Sequence, residues 1–274
     1  MNLKRIKKIL TSKPVITLLW IAAIVVVWEI CAANVAVTKR TPENVLPHIS
    51  GIIDSLTSDR KINGSQTAFQ MVWENAKATL SRAGTGYLIG IGAGFLLALL
   101  MSLSGIIEKI AFPYLMLIQL IPILGMAPII NALTGDIAKS RVIIAAILTF
   151  YPVATNTLAG FKSVQREKHE LMYSYASNKF QLYVKTMIPA CIPYFFTGLK
   201  ISAPMAITAS ILVDTLQGGI GLGCLLSQSL KGAMTRYVFW DIVFFSAVIG
   251  ILSFYIMGVI EYLICPWKRI EKKR

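Results

Sequence analysis

The residues best suited to meeting a partner lie between Phe161 and Pro193, in the stretch FKSVQREKHELMYSYASNKFQLYVKTMIPACIP. Charged and aromatic residues alternate along it, as expected of two short amphipathic helices joined at a corner. Leu171, Met172 and Tyr175 share a face beside Glu170. That set offers an apolar surface to a cleft on a soluble partner, the helix-in-groove mode of recognition. Catalytic chemistry finds little material. His48 and His169 are the only two histidines and stand far apart in the chain. Cys31, Cys191, Cys224 and Cys265 show no metal-ligand spacing and read as small apolar fillers. No catalytic residue, metal or cofactor is expected of this chain.

The elements that must hold such a hairpin are membrane helices. Hydrophobic residues make up 55% of the 274 positions and charged residues only 15%, against about 25% in soluble domains. Several apolar runs approach twenty residues, and they are continuous rather than alternating, which selects helices over a β-barrel. The expected class is therefore an all-α integral membrane protein of about six transmembrane helices.

In chain order, residues 1–14 form a basic N-terminal segment carrying Lys4, Arg5, Lys7, Lys8 and Lys13. Residues 15–33 form a first span. A basic start with an apolar stretch also fits a signal peptide, but Trp28-Glu29 interrupts the approach to a cleavage site and favours a retained helix. Residues 34–70 read as an extracytoplasmic loop, in which Ile49, Ile52, Ile53 and Leu56 fall on one helical face; an interfacial helix and a solvated loop both fit. Residues 71–264 form the core, with the hairpin at 161–189, and residues 265–274 form a basic tail.

Within the core, Gly86, Gly90, Gly94 and Ala98 recur every four residues and leave one smooth face for close helix packing. A third span, about Ile110–Ala132, holds Pro113, Pro122, Gly125 and Pro128 with Gln119, and its prolines are expected to bend it. A fourth span covers about 142–159 with Asn156 and Thr157, a fifth about 190–213 with Thr208, and a sixth about 242–264. Gln119, Asn156, Thr157 and Thr208 are the candidates for lining a pathway. Glu29, Asp214 and Glu261 fall at span ends, where interfacial solvation accounts for them.

With six spans and an inward N-terminus, seventeen of the twenty-seven basic residues fall on the inner side, Lys200 being counted with the hairpin. The positive-inside rule then puts both termini and the hairpin in the cytoplasm of a bacterial cell. The formal charge of +14 is thereby assigned to anionic lipid and topology rather than to nucleic acid.

From Glu170 the spacing reads Glu170-Leu171-Met172, three residues, Ala176, nine residues, Thr186-Met187-Ile188-Pro189. This resembles the EAA loop of bacterial ABC importer permeases, with E-A-A, a glycine, and I-x-L-P at the same spacing. The glutamate, both gaps and the proline match; the alanines, the glycine and the Ile and Leu are replaced. WENAKATLSR with its glycine helix, LIQLIPILGMAPII, GGIGLG and the closing PW look like the sulfonate, taurine and nitrate branch of these permeases. The resemblance covers roughly residues 70–268.

It implies the MetI-like ABC permease fold in the inner membrane. It also implies a second permease copy or paralogue, separate ABC ATPase subunits that bind the ATP, and an extracytoplasmic substrate-binding protein. Glu170, Leu171, Met172, Tyr175, Ala176 and Pro189 match the loop that engages the ATPase. Ser177 or Asn178 can cap the second helix, and Asn178 is also expected to supply the left-handed corner that the missing glycine would otherwise provide. Substrates of similar permeases include sulfonates, taurine, nitrate, and vitamin or pyrimidine precursors.

Two other classes fit less well. An ion-coupled transporter calls for ionisable groups at midspan or an inverted repeat, and neither is visible. The glycines of Gly218–Gly223 lack the lysine of a phosphate-binding loop, and no Walker motif is present, so the chain is not expected to hydrolyse ATP.

Overall fold

The computed structural model describes residues 13–39, 42–62, 64–231 and 236–266. The basic residues Lys4, Arg5, Lys7 and Lys8, and Lys268, Arg269, Lys272, Lys273 and Arg274, lie outside them. The described elements are α1 (Lys13–Thr38), α2 (Pro42–Val45), α3 (Ile49–Thr57), α4 (Ala68–Leu103), α5 (Gly105–Leu120), a 3₁₀ turn (Ile123–Met126), α6 (Ala127–Thr134), α7 (Ile137–Lys162), α8 (Arg166–Ser174), α9 (Lys179–Leu182), a π turn (Tyr183–Met187), α10 (Ile188–Gln217), α11 (Leu222–Ser229) and α12 (Arg236–Ile264). Two compact units are formed, one by residues 1–71 with 229–241 and one by residues 72–228 with 242–274.

Among the described residues five helices are long and apolar enough to cross a membrane: α1, α4, α7, the α9–α10 continuum and α12. The expected third span is not one of them. It is divided into α5 and α6 by a break at residues 121–126. Pro122 forces extended backbone on Ile121, whose ψ is 130°, and Pro128 with Gly125 starts a new turn in place of the old helix. The prolines sever this segment where bending was expected.

In the first unit, Glu29 accepts from the backbone N–H of Ile49 at 2.9 Å, and its other oxygen lies 2.6 Å from His48 Nδ1. This specific pairing replaces the simple solvation expected of Glu29. Helix α3 buries Ile52 and leaves Ile53 exposed. Trp28 packs edge-on against Trp240 at 5.0 Å and donates to the carbonyl of Pro47.

In the second unit, α7 and α10 form the most extensively packed helix pair. The glycine face of α4 lies on α7. A Cβ at Gly86 would stand 2.5 Å from the Val142 carbonyl oxygen, and one at Gly90 would stand 2.6 Å from that of Ala146. At Gly94 the corresponding approach is 2.9 Å, to Phe150. Removing the side chains lets two backbones meet, which matters where lipid provides no hydrophobic drive for helix association. Ala98, Met101, Leu115, Ala154, Leu158, Phe161, Met187 and Cys191 form a buried cluster beneath the hairpin.

Candidate functional site

Three features sit on the α7–α10 frame: a hairpin, a cavity and a buried ion cluster. The hairpin joins the end of α7 to the start of α10. Arg166 Nε donates to Glu170 at 2.8 Å across one turn of α8, and both side chains are exposed. Leu171, Tyr173, Tyr175, Phe180 and Val184 are exposed as well, Tyr173 at 86%. An apolar set of that size on a polar hairpin is unusual unless something covers it.

Helix α8 ends in a Schellman closure, with Ala176 N donating to Tyr173 O at 2.9 Å and Ser177 N to Met172 O at 3.1 Å. Ala176 itself takes the left-handed position, φ 51°. The expectation that Asn178 would do so is overturned. Asn178 is extended (φ −77°, ψ 168°) and forms a capping box with Gln181 at the start of α9. A cap needs extended backbone, so Asn178 cannot serve both purposes. The second arm then runs without a loop into α10 through the π turn, because Pro189 brings no N–H to the helical ladder and the ladder shifts register. Tyr183 fastens this arm to α4 by donating to Ser102 O at 2.8 Å.

A cavity of about 700 Å³ is lined by residues of α5, the 121–123 break, α7 and α10. Gln119, Asn156 and Thr208 line it, together with Tyr151 and Thr155. Thr157 does not. It is fully buried, and its hydroxyl has no hydrogen-bond partner among the described residues. One residue is about 100° of helix rotation, which turns Thr157 into the packed side while Asn156 faces the space. Pro122, Pro152 and Pro204 all border the cavity.

The third feature is at the opposite ends of α7 and α10, and interfacial solvation does not describe it. Asp214 is wholly buried. Its carboxylate accepts from Thr79 Oγ1 at 2.7 Å and from Arg82 Nη2 at 3.0 and 3.2 Å. Arg141 Nε lies 3.0 Å from Oδ1, off the hydrogen-bonding direction, so that contact is coulombic. The two guanidinium groups also hold the glycine loop: Arg82 donates to Ile220 O at 2.8 Å and Arg141 to Gly218 O. Asn75 and Thr79 accept from the N–H groups of Gly221 and Leu222, at 2.8 and 2.9 Å.

Gly221, at φ 155°, passes so close that a Cβ would stand 2.1 Å from Asp214 Oδ2. The glycines therefore let a backbone wrap a buried carboxylate. Burial pushes the Cys224 thiol of this cluster up, which keeps its proton available to donate to Asp214 O at 3.1 Å. Arg82 and Arg141 had no role in the sequence reading. The signal was present as Arg82, Arg141, Asp214 and GGIGLG, but nothing in their spacing shows that they meet.

A second charged pair was also misplaced. Lys200, counted with the hairpin, lies well within α10 and bonds Glu261 of α12 at 2.6 Å. Among the described residues no group of three or more His, Cys, Asp or Glu could hold a metal ion.

Residues 90–264 match the model of the binding-protein-dependent transport system inner membrane component. The chain belongs to that family. It is 30% identical to the formylaminopyrimidine transport permease protein ThiX of Halalkalibacterium halodurans, over 92% of this chain and 95% of the relative. It is 26% identical to the nitrate import permease protein NrtB of Leptolyngbya laminosa, over 77% and 75%. The fold is that of the MetNI methionine ABC transporter in its inward-facing conformation, with a TM-score of 0.55 at 16% identity over 72% of this chain and 95% of that one. The protein is thus a multi-pass permease component of an ABC importer.

Proposed function

We propose that this permease works as a pair, with a second copy or a paralogue, on two separate ATPase subunits that bind the ATP. A substrate-binding protein delivers a small solute to the outer face. The charge distribution supports a cytoplasmic hairpin and cytoplasmic termini, which makes the Asp214 end the outer one. Residues 1–14 and 265–274 are then the cytoplasmic segments, residues 34–70 the outer loop and residues 71–264 the translocating core.

The observation that carries this reading is that α7 and α10 join all three features. Each is long enough to span the bilayer, about 39 Å for the 26 residues of α7. The exposed hairpin stands at one end, the cavity lies along their length and the Asp214 cluster closes the other end. Force applied by an ATPase to Glu170, Leu171, Met172 and Tyr175 on the first arm passes through the Ala176 corner into the second arm, which runs without a loop into α10 and Pro189. The Ala176 closure and the Gly86, Gly90 and Gly94 contacts keep that motion from being absorbed locally. The lining residues Gln119, Asn156 and Thr208 then face the solute. It is a small molecule of the kinds carried by the relatives, such as nitrate or a formylaminopyrimidine.

The test is reconstitution with the cognate ATPase and binding protein in proteoliposomes. Glu170→Arg is expected to abolish solute-stimulated ATP hydrolysis and uptake while the chain stays folded. Full uptake by that variant would overturn the coupling role.

A further inference from the structure

The cavity's lining carries information about the solute. Of its described lining residues none bears a charge: beside aliphatic residues, prolines and Met205 it has only Gln119, Tyr151, Thr155, Asn156 and Thr208. The cations nearest in sequence are committed elsewhere, Arg141 to Asp214 and the glycine loop, Lys200 to Glu261. An anion or a zwitterion entering such a space loses its hydration with no opposite charge to replace it.

The polar groups that remain have a direction. Asn156 Nδ2 donates to Pro152 O at 2.7 Å, and Thr155 Oγ1 donates to Tyr151 O at 2.9 Å. Thr155 thus spends its one donor and Asn156 one of its two N–H groups on their own helix, and both keep acceptor oxygens for a guest. Pro152 adds to this side, since it supplies no N–H to bind the carbonyl four residues earlier, at Leu148, which also lines the cavity. Gln119 is exposed and can give or accept. Tyr151 supplies an aromatic face against which a flat ring packs.

We infer that the cavity formed by Gln119, Tyr151, Thr155, Asn156 and Thr208 takes an uncharged, planar, N–H-bearing heterocycle rather than a small inorganic or organic anion. The inference rests on the pathway reading above and narrows it to one solute chemistry. Acceptors from α7 meet the guest's N–H groups, Gln119 meets its ring nitrogen or carbonyl, and the aliphatic walls cover its faces.

The experiment uses the full chain with its ATPase subunits in nanodiscs, with cytosine as the neutral heterocycle and taurine and nitrate as the charged probes. Equilibrium binding of radiolabelled cytosine is expected to saturate, while taurine and nitrate at equal concentrations do not. Gln119→Leu, which breaks no hydrogen bond within the fold, is expected to weaken cytosine binding about tenfold or more; Asn156→Leu is expected to do the same. Circular dichroism and thermal unfolding establish that each variant is folded.

Saturable binding of nitrate or taurine, or no binding of cytosine, overturns the inference. If instead the complete transporter takes up nitrate or taurine and Gln119→Leu stops that uptake, the pathway stands and the solute class is wrong. Cytosine binding that neither variant weakens means that the cavity is not the site, and the pathway reading falls with the inference.

Discussion

The two ends of the α7–α10 frame are built on opposite principles. At the hairpin end Glu170 keeps 62% of its side chain exposed, with a single i,i+4 partner in Arg166. At the other end Asp214 is wholly buried between two arginines, a threonine and a glycine loop. An exposed ion pair contributes about 0–1 kcal/mol to stability, so the hairpin is free to exchange its partners for those of another protein. A buried charge pair is costly to break because the surviving charge has no water to return to. One end is arranged to be handled and the other to hold.

That contrast can be broken by mutation, and the largest effect is expected at the buried end. Asp214→Ala leaves two guanidinium groups without their counter-charge and should cost about 3 to 5 kcal/mol. Thermal unfolding in detergent should show it as a markedly lower Tm, and little change would mean that the cluster is solvated. Gly90→Leu should follow at about 1 to 3 kcal/mol, since the helix backbones must separate to admit the side chain.

Lys200→Met should destabilise by a comparable amount by removing the ammonium that faces the buried Glu261 carboxylate, whereas the double change Lys200→Met with Glu261→Met should recover most of the loss. A double-mutant cycle measures this directly; additive losses would mean that the pair is not coupled. Ala176→Gly should stabilise the hairpin by about 1 kcal/mol, by relieving the left-handed strain of a residue with a Cβ. The smallest effect belongs to the exposed end: Tyr175→Ala should change stability by under about 0.5 kcal/mol while lowering ATPase affinity. A large Tm shift there would mean that the hairpin packs within its own chain.

The parts legible in the sequence were those written locally. Apolar runs of bilayer length mark α1, α4, α7, α10 and α12, and small residues every fourth position mark the face of α4 that meets α7. The hairpin's corner was half legible. Its position was readable, but whether Ala176 or Asn178 would turn left-handed depended on which of them the next helix took as its cap. The third span misled because hydropathy counts residues and is blind to a chain break. Pro122 and Pro128 each tolerate a helix on one side, and only together do they divide it.

The ion cluster was illegible for a different reason. Thr79, Arg82, Arg141, Asp214 and Ile220 come from three helices and a loop, and Arg82 bonds a residue 138 positions away. Arg82, Arg141 and Asp214 each alone resemble an interfacial charge at the end of a span.

By itself the sequence determined the helical membrane class, the place of the polar hairpin and the likeness to importer permeases, because hydropathy, periodicity and motif spacing are properties of neighbours along the chain. Tertiary structure alone decided that Asp214 is buried between arginines, that Lys200 is matched to Glu261, and that Asn156 rather than Thr157 faces the cavity. Those outcomes depend on which helix lies against which and at what rotation, and in a medium where every uncompensated charge is costly, that packing selects each charge's partner.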